Sequence, residues 1–105
     1  MNSMFDRAAA FNQDLCKWDV GQVTDMQLMF SSDYRGSSFN QGLSTWNVSR
    51  VTSMAFMFQH AAAFNQDLSK WDVSRVTDMQ KMFSVAFNQN LSKWDVGKVT
   101  TVQGM

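Results

Sequence analysis

The residues in this chain able to do chemistry are few, and most are duplicated at regular intervals. His60, the single histidine, has no Cys or His beside it in the loop 59–63. A metal site needs several such ligands converging, so His60 reads as a surface histidine. Cys16, the single cysteine, cannot close an internal disulfide and shares a column with Ser44, Ser69 and Ser92. It reads as a small-residue replacement and not as a reactive thiol. The column Asp19, Asn47, Asp72, Asp95 raises calcium coordination, but the Gly-rich nonapeptide of calcium-binding β-rolls is missing. With Lys17, Lys70 and Lys93 two residues before each Asp, solvated ion pairs are the simpler expectation. A rank of threonines at Thr24, Thr52, Thr77 and Thr100 resembles an ice-binding row, yet its place in the repeat suits capping better. Catalysis needs unlike groups brought together, whereas here each polar group is copied once per repeat. No catalytic, metal or cofactor-binding residue is assigned, and no cofactor is expected.

The elements that must position these residues follow from the period. Phe-Asn-Gln recurs at Phe11, Phe39, Phe64 and Phe87, and tryptophan at Trp18, Trp46, Trp71 and Trp94, with the same spacings of 28, 25 and 23 residues. The variable length falls between the Met-Phe pair and the next Phe-Asn-Gln. Loops absorb it. All nine methionines lie in two columns, and eight of the nine phenylalanines in two more, Phe56 being the exception. Bulky apolar side chains therefore recur unit upon unit as one continuous core, and residues 1–105 read as one repeat domain.

Within the unit 64–83, Met79, Met82 and Phe83 are spaced i, i+3, i+4, the signature of a helix face. Thr77 is expected as its N-cap with Gln80 closing a capping box, repeated by Thr24 with Gln27 and Thr100 with Gln103. In residues 69–73, Trp71 and Val73 alternate with Lys70 and Asp72, as in a half-buried strand. The expected fold is an α/β solenoid of about four leucine-rich-repeat-like turns, each a short parallel β-strand plus a short helix. The column Asn12, Asn40, Asn65, Asn88 is expected to hydrogen-bond the backbone of adjacent turns, and Trp18, Trp46, Trp71 and Trp94 to stack in the core.

The run from Phe64 to Phe83, FNQDLSKWDVSRVTDMQKMF, resembles the bacterial surface protein 26-residue repeat family, a Mycoplasma-type domain of unknown function related to the BspA-type leucine-rich repeats. The resemblance covers essentially the whole chain. Departures are Cys16 and Gly21, Asn47, Gly97 and Val102, all compatible with packing. It implies a leucine-rich-repeat-like fold, often on cell-surface proteins, and carries over no catalytic residue.

Nine basic against nine acidic residues give no net charge, which removes an electrostatic case for nucleic acid or an anionic membrane. Apolar runs are short, five residues at most, so neither membrane insertion nor a signal peptide is expected in this stretch. What remains is surface. Lys17, Asp19, Lys70, Asp72, Lys93 and Asp95, with Thr45 and Asn47 between, form a polar stripe suited to a protein or glycan partner. The second unit breaks the pattern with Gly42 and the loop residues Asp33, Tyr34 and Arg35, a second candidate contact. Two functions follow as expectations: a non-enzymatic interaction module of a surface or adhesin-type protein, or a structural subunit that associates end to end or docks in a larger assembly through uncapped ends.

Overall fold

The computed structural model describes residues 2–8, 11–32, 36–84 and 87–101. Among them there is no α-helix and no extended strand, so the expected α/β solenoid with its leucine-rich-repeat-like units is corrected: the chain is a compact body of short turns joined by irregular segments. Its radius of gyration is 12.4 Å, close to the roughly 13 Å of a compact chain of this length.

Each unit is a run of tight turns whose apolar residues sit at both ends. The N–H of Trp71 donates to the Leu68 carbonyl, that of Val76 to Val73, and that of Met82 to Met79, each three residues back. The i, i+3 spacing taken for a helix face is therefore the spacing of turn ends. A left-handed residue stops a helix from forming there. Ser3, Leu28, Phe56 and Lys81 occupy one column and have φ of 59°, 57°, 60° and 48°, a conformation a right-handed helix cannot contain.

The expected capping box also gives way. Thr77 donates its N–H and its hydroxyl to the Thr52 carbonyl in the preceding unit, at 2.9 and 3.2 Å, and Thr52 and Thr100 do the same one unit away. The turn beginning at Asp78 is held instead by its own carboxylate, whose Oδ1 accepts the Gln80 N–H at 3.0 Å. Parallel contact between units runs through this segment, not through 69–73. It consists of isolated bridges joining Asp25 to Ser53, Ser53 to Asp78 and Asp78 to Thr101.

Four layers result, spanning 2–24, 25–52, 53–77 and 78–100, with Thr101 the first residue of the unit that follows. In each, the two phenylalanine rings stack face to face: Phe5 on Phe11 and Phe30 on Phe39 at 4.2 Å, Phe58 on Phe64 and Phe83 on Phe87 at 4.0 Å. Between layers the rings stay nearly parallel at 5.5 to 6.1 Å. Stacked aromatic pairs add about 0.5 to 1.5 kcal/mol each beyond their burial. The methionines Met26, Met29, Met54, Met57, Met79 and Met82 fill the interior beside them and are fully buried. Flexible thioethers suit the irregular space left by turns.

Candidate interaction surface

The outer corners of the layers are set by short polar side chains. Asp14, Asp67 and Asn90 each accept the backbone N–H two residues on, at 2.8 to 2.9 Å. Asp19, Asn47, Asp72 and Asp95 do the same at 3.0 to 3.1 Å, and so do Asp25 and Asp78. Asp and Asn favour such turns because the side chain mimics one more residue of backbone. The Asp column expected to pair with lysines is thus committed first to its own backbone. Among the described residues no group of three or more His, Cys, Asp or Glu could hold a metal ion.

These bonds alter titration. The Ser74 hydroxyl and N–H, followed by the charge of Arg75, hold Asp72 below the usual carboxylate range. The Cys16 N–H and thiol lower Asp14, and the Ser69 N–H and hydroxyl lower Asp67. In return Asp14 raises the pKa of the Cys16 thiol, which keeps it protonated and a poor nucleophile.

The asparagine column binds its neighbours along the surface and not in the interior. Asn40 donates its N–H to Asn12 Oδ1 at 2.9 Å, Asn65 to Asn40 at 3.1 Å and Asn88 to Asn65 at 3.2 Å. Gln41, Gln66 and Gln89 add side-chain bonds to the carbonyls of the same asparagines. The role of these glutamines escaped the reading of the sequence, although Phe-Asn-Gln is unbroken in every unit. In the tryptophan column Trp46, Trp71 and Trp94 are buried and Trp18 is exposed. Each buried indole donates Nε1–H to a leucine carbonyl of the preceding layer.

The stripe residues Lys17, Asp19, Thr45, Asn47, Lys70, Asp72, Lys93 and Asp95 are all exposed. Two of them line grooves, Lys93 one and Asp72 another. A cleft of about 190 Å³ is lined by Asp67, Ser69, Gln89, Asn90 and Lys93. A wider, open groove of about 670 Å³ is lined by Thr24, Ser49, Arg50, Thr52, Asp72, Ser74 and Arg75. Arg50 and Arg75 escaped the sequence reading, although Arg50, Arg75 and Lys98 share one column, begun by Gln22. The Arg50 guanidinium donates to Gln22 Oε1, which links that column between the first two layers. Asp33, Tyr34 and Arg35 lie outside the described residues. Beside them, Ser32 Oγ donates to the Gly36 carbonyl at 2.7 Å, and Gly36 has φ of 83°. His60 is exposed and has φ of 57°.

Together these features define a repeat protein whose repeated residues hold one layer to the next and whose outer grooves are polar. The chain belongs to the family described as Mycoplasma protein of unknown function, DUF285, which it matches over residues 1–105. The match establishes that family and no link to the BspA-type leucine-rich repeats. No curated protein and no solved structure matches the chain. Among the described residues no helix is long and apolar enough to cross a membrane.

Proposed function

We propose that this chain is a non-enzymatic interaction module that binds a protein or glycan partner through its lateral polar surface, as part of a surface or adhesin-type protein. The observation that supports this reading is the groove crossing three layers from Thr24 through Arg50 and Thr52 to Asp72 and Arg75. Its lining mixes hydroxyl groups, two guanidinium groups and one carboxylate. Asp72 is fixed in place by the Ser74 N–H and hydroxyl, at 3.0 and 2.6 Å. Groups held before a ligand arrives lose little freedom on binding. Planar guanidinium forks recognise carboxylate or sulfate groups in two-point contacts.

Screening the purified chain against immobilised glycans and candidate proteins tests this, with Arg50→Ala/Arg75→Ala and Asp72→Asn as controls. Binding that disappears in the double arginine variant while the fold is retained supports the groove. Partners whose binding is indifferent to all three substitutions would overturn it.

A further inference from the structure

The column of Gln22, Arg50, Arg75 and Lys98 puts three cations in consecutive layers on one flank of the molecule. All three are exposed, and Arg50 and Arg75 stay so with a layer on either side of them. The column therefore faces outward along the flank. Two residues further on, the N–H groups of Thr52, Thr77 and Thr100 bond the threonine carbonyls one layer back, at 2.8 to 2.9 Å. Those bonds fix its register. Backbones joined in this way lie about 4.8 Å apart, so the cations recur with a step of about 5 Å.

Charge around the column is not balanced locally. No acidic residue occurs between Asp33 and Asp67, and Arg50 is flanked by Asn47 and Ser53 where Arg75 is flanked by Asp72 and Asp78. Arg75 and Lys98 make no hydrogen bond with a described residue. Both Ser74 bonds to Asp72 go to Oδ1, and Oδ2 accepts none among the described residues. The groove beside the two arginines adds the hydroxyls of Thr24, Ser49, Thr52 and Ser74 and no aromatic ring.

These features select among anionic chains. A single-stranded nucleic acid would find no ring on which to stack its bases, and Asp72 repels phosphate. An extended polyglutamate presents carboxylates to one face about every 6.7 Å, out of step by the third cation, and brings no hydroxyl groups. A linear glycan with one carboxylate on each sugar meets both conditions. When its linkages are equatorial it advances by about one layer per sugar, and its ring hydroxyls can pair with the Ser, Thr and Asp72 groups.

We infer that the ligand of this flank is a linear polyuronate lying along the layers, its successive carboxylates on Arg50, Arg75 and Lys98 and its hydroxyls on the groove. The inference rests on the lateral groove being the binding surface and names the chemistry of the partner.

Calorimetric titration of the intact chain with β-linked glucuronate oligomers tests it. Cello-oligosaccharides supply the same chain without carboxylates, and polyglutamate supplies the charge without sugar. Affinity for glucuronate is expected to rise from one sugar to three, to fall with added salt, and to exceed that for either control at least tenfold. Arg50→Gln, Arg75→Gln and Lys98→Gln, all at exposed positions, should melt like wild type and each weaken trimer binding about tenfold. Either control binding as tightly as glucuronate would overturn the inference, and so would a Lys98→Gln chain that binds the trimer like wild type. Absence of glucuronate binding would also overturn it, while the groove reading survives if another partner is lost with Arg50 and Arg75. Glucuronate bound without regard to either arginine would sink both.

Discussion

The indole N–H of Trp71 donates to the carbonyl of Leu43, 2.8 Å away and one layer back, and that carbonyl also accepts the N–H of Trp46. Tryptophan alone supplies both the bulk that fills the layer and a buried donor aimed across it. Trp71→Ala is expected to cost roughly 3 to 5 kcal/mol, and Trp71→Phe about 1 to 2 kcal/mol for the lost bond and imperfect fill. At Trp18, exposed and with no acceptor for its indole N–H among the described residues, the phenylalanine substitution should cost under about 0.5 kcal/mol. Urea denaturation measures all three. Equal losses at Trp18 and Trp71 would rule out this account of the column.

Lys81 is exposed and has φ of 48°. A side chain there crowds the following carbonyl. Lys81→Gly should therefore raise stability by up to about 1 kcal/mol, despite the greater freedom glycine gives the unfolded chain. Gly36→Ala, at φ of 83°, should lower it by about 1 kcal/mol. Thermal melts of the two variants should move in opposite directions.

Gly42 stands where the other layers carry Asp14, Asp67 and Asn90, and a Cβ there would meet nothing within 4 Å. Gly42→Asp should cap the Ser44 N–H as Asp67 caps Ser69. The expected gain is about 0.5 to 1.5 kcal/mol. Gly42→Ala separates the two sources, since it restricts the unfolded chain without supplying the acceptor. A gain no larger for Asp than for Ala would show that the cap does not form.

Acid should weaken the fold in a defined window. Asp14, Asp67 and Asp72 have folded pKa values lowered from an ordinary 3.8. The unfolded chain therefore takes up protons first as pH falls. Their contribution is complete above about the ordinary value and is lost as pH drops through the lowered ones. Stability from these groups should stay level between neutrality and mild acid. Replacing all three by Asn, the residue already present at Asn47 and Asn90, keeps an acceptor oxygen and should flatten the acid limb of a pH series. An unchanged limb would place the acid sensitivity elsewhere.

The sequence made side-chain direction legible more readily than backbone form. Trp71 and Val73 point inward, and Lys70 and Asp72 outward, because alternation reports burial whatever the backbone does. The backbone itself was misread. Turns place apolar residues at i and i+3 just as helices do, and the left-handed position is filled by Ser3, Leu28, Phe56 and Lys81, none of them the glycine that would have announced it. The surface was legible in part. Lysine and aspartate alternation marked the exposed stripe, but the groove at Arg50 and Arg75 depends on which columns become neighbours when the chain turns. That adjacency is set in three dimensions.

The threonine bonds described above run in one direction and use the same atoms at every junction. One layer is consequently an interchangeable part. Excising residues 53–77 would join Thr52 to Asp78, recreating the Thr-Asp step already present at Thr24–Asp25 and Thr77–Asp78. The shortened chain should still unfold in one cooperative transition, and a non-cooperative melt would show that the layers are not equivalent. Whole units could then be gained or lost by in-frame recombination without redesigning the interior, so length can change by inheritance while the contact between layers stays the same.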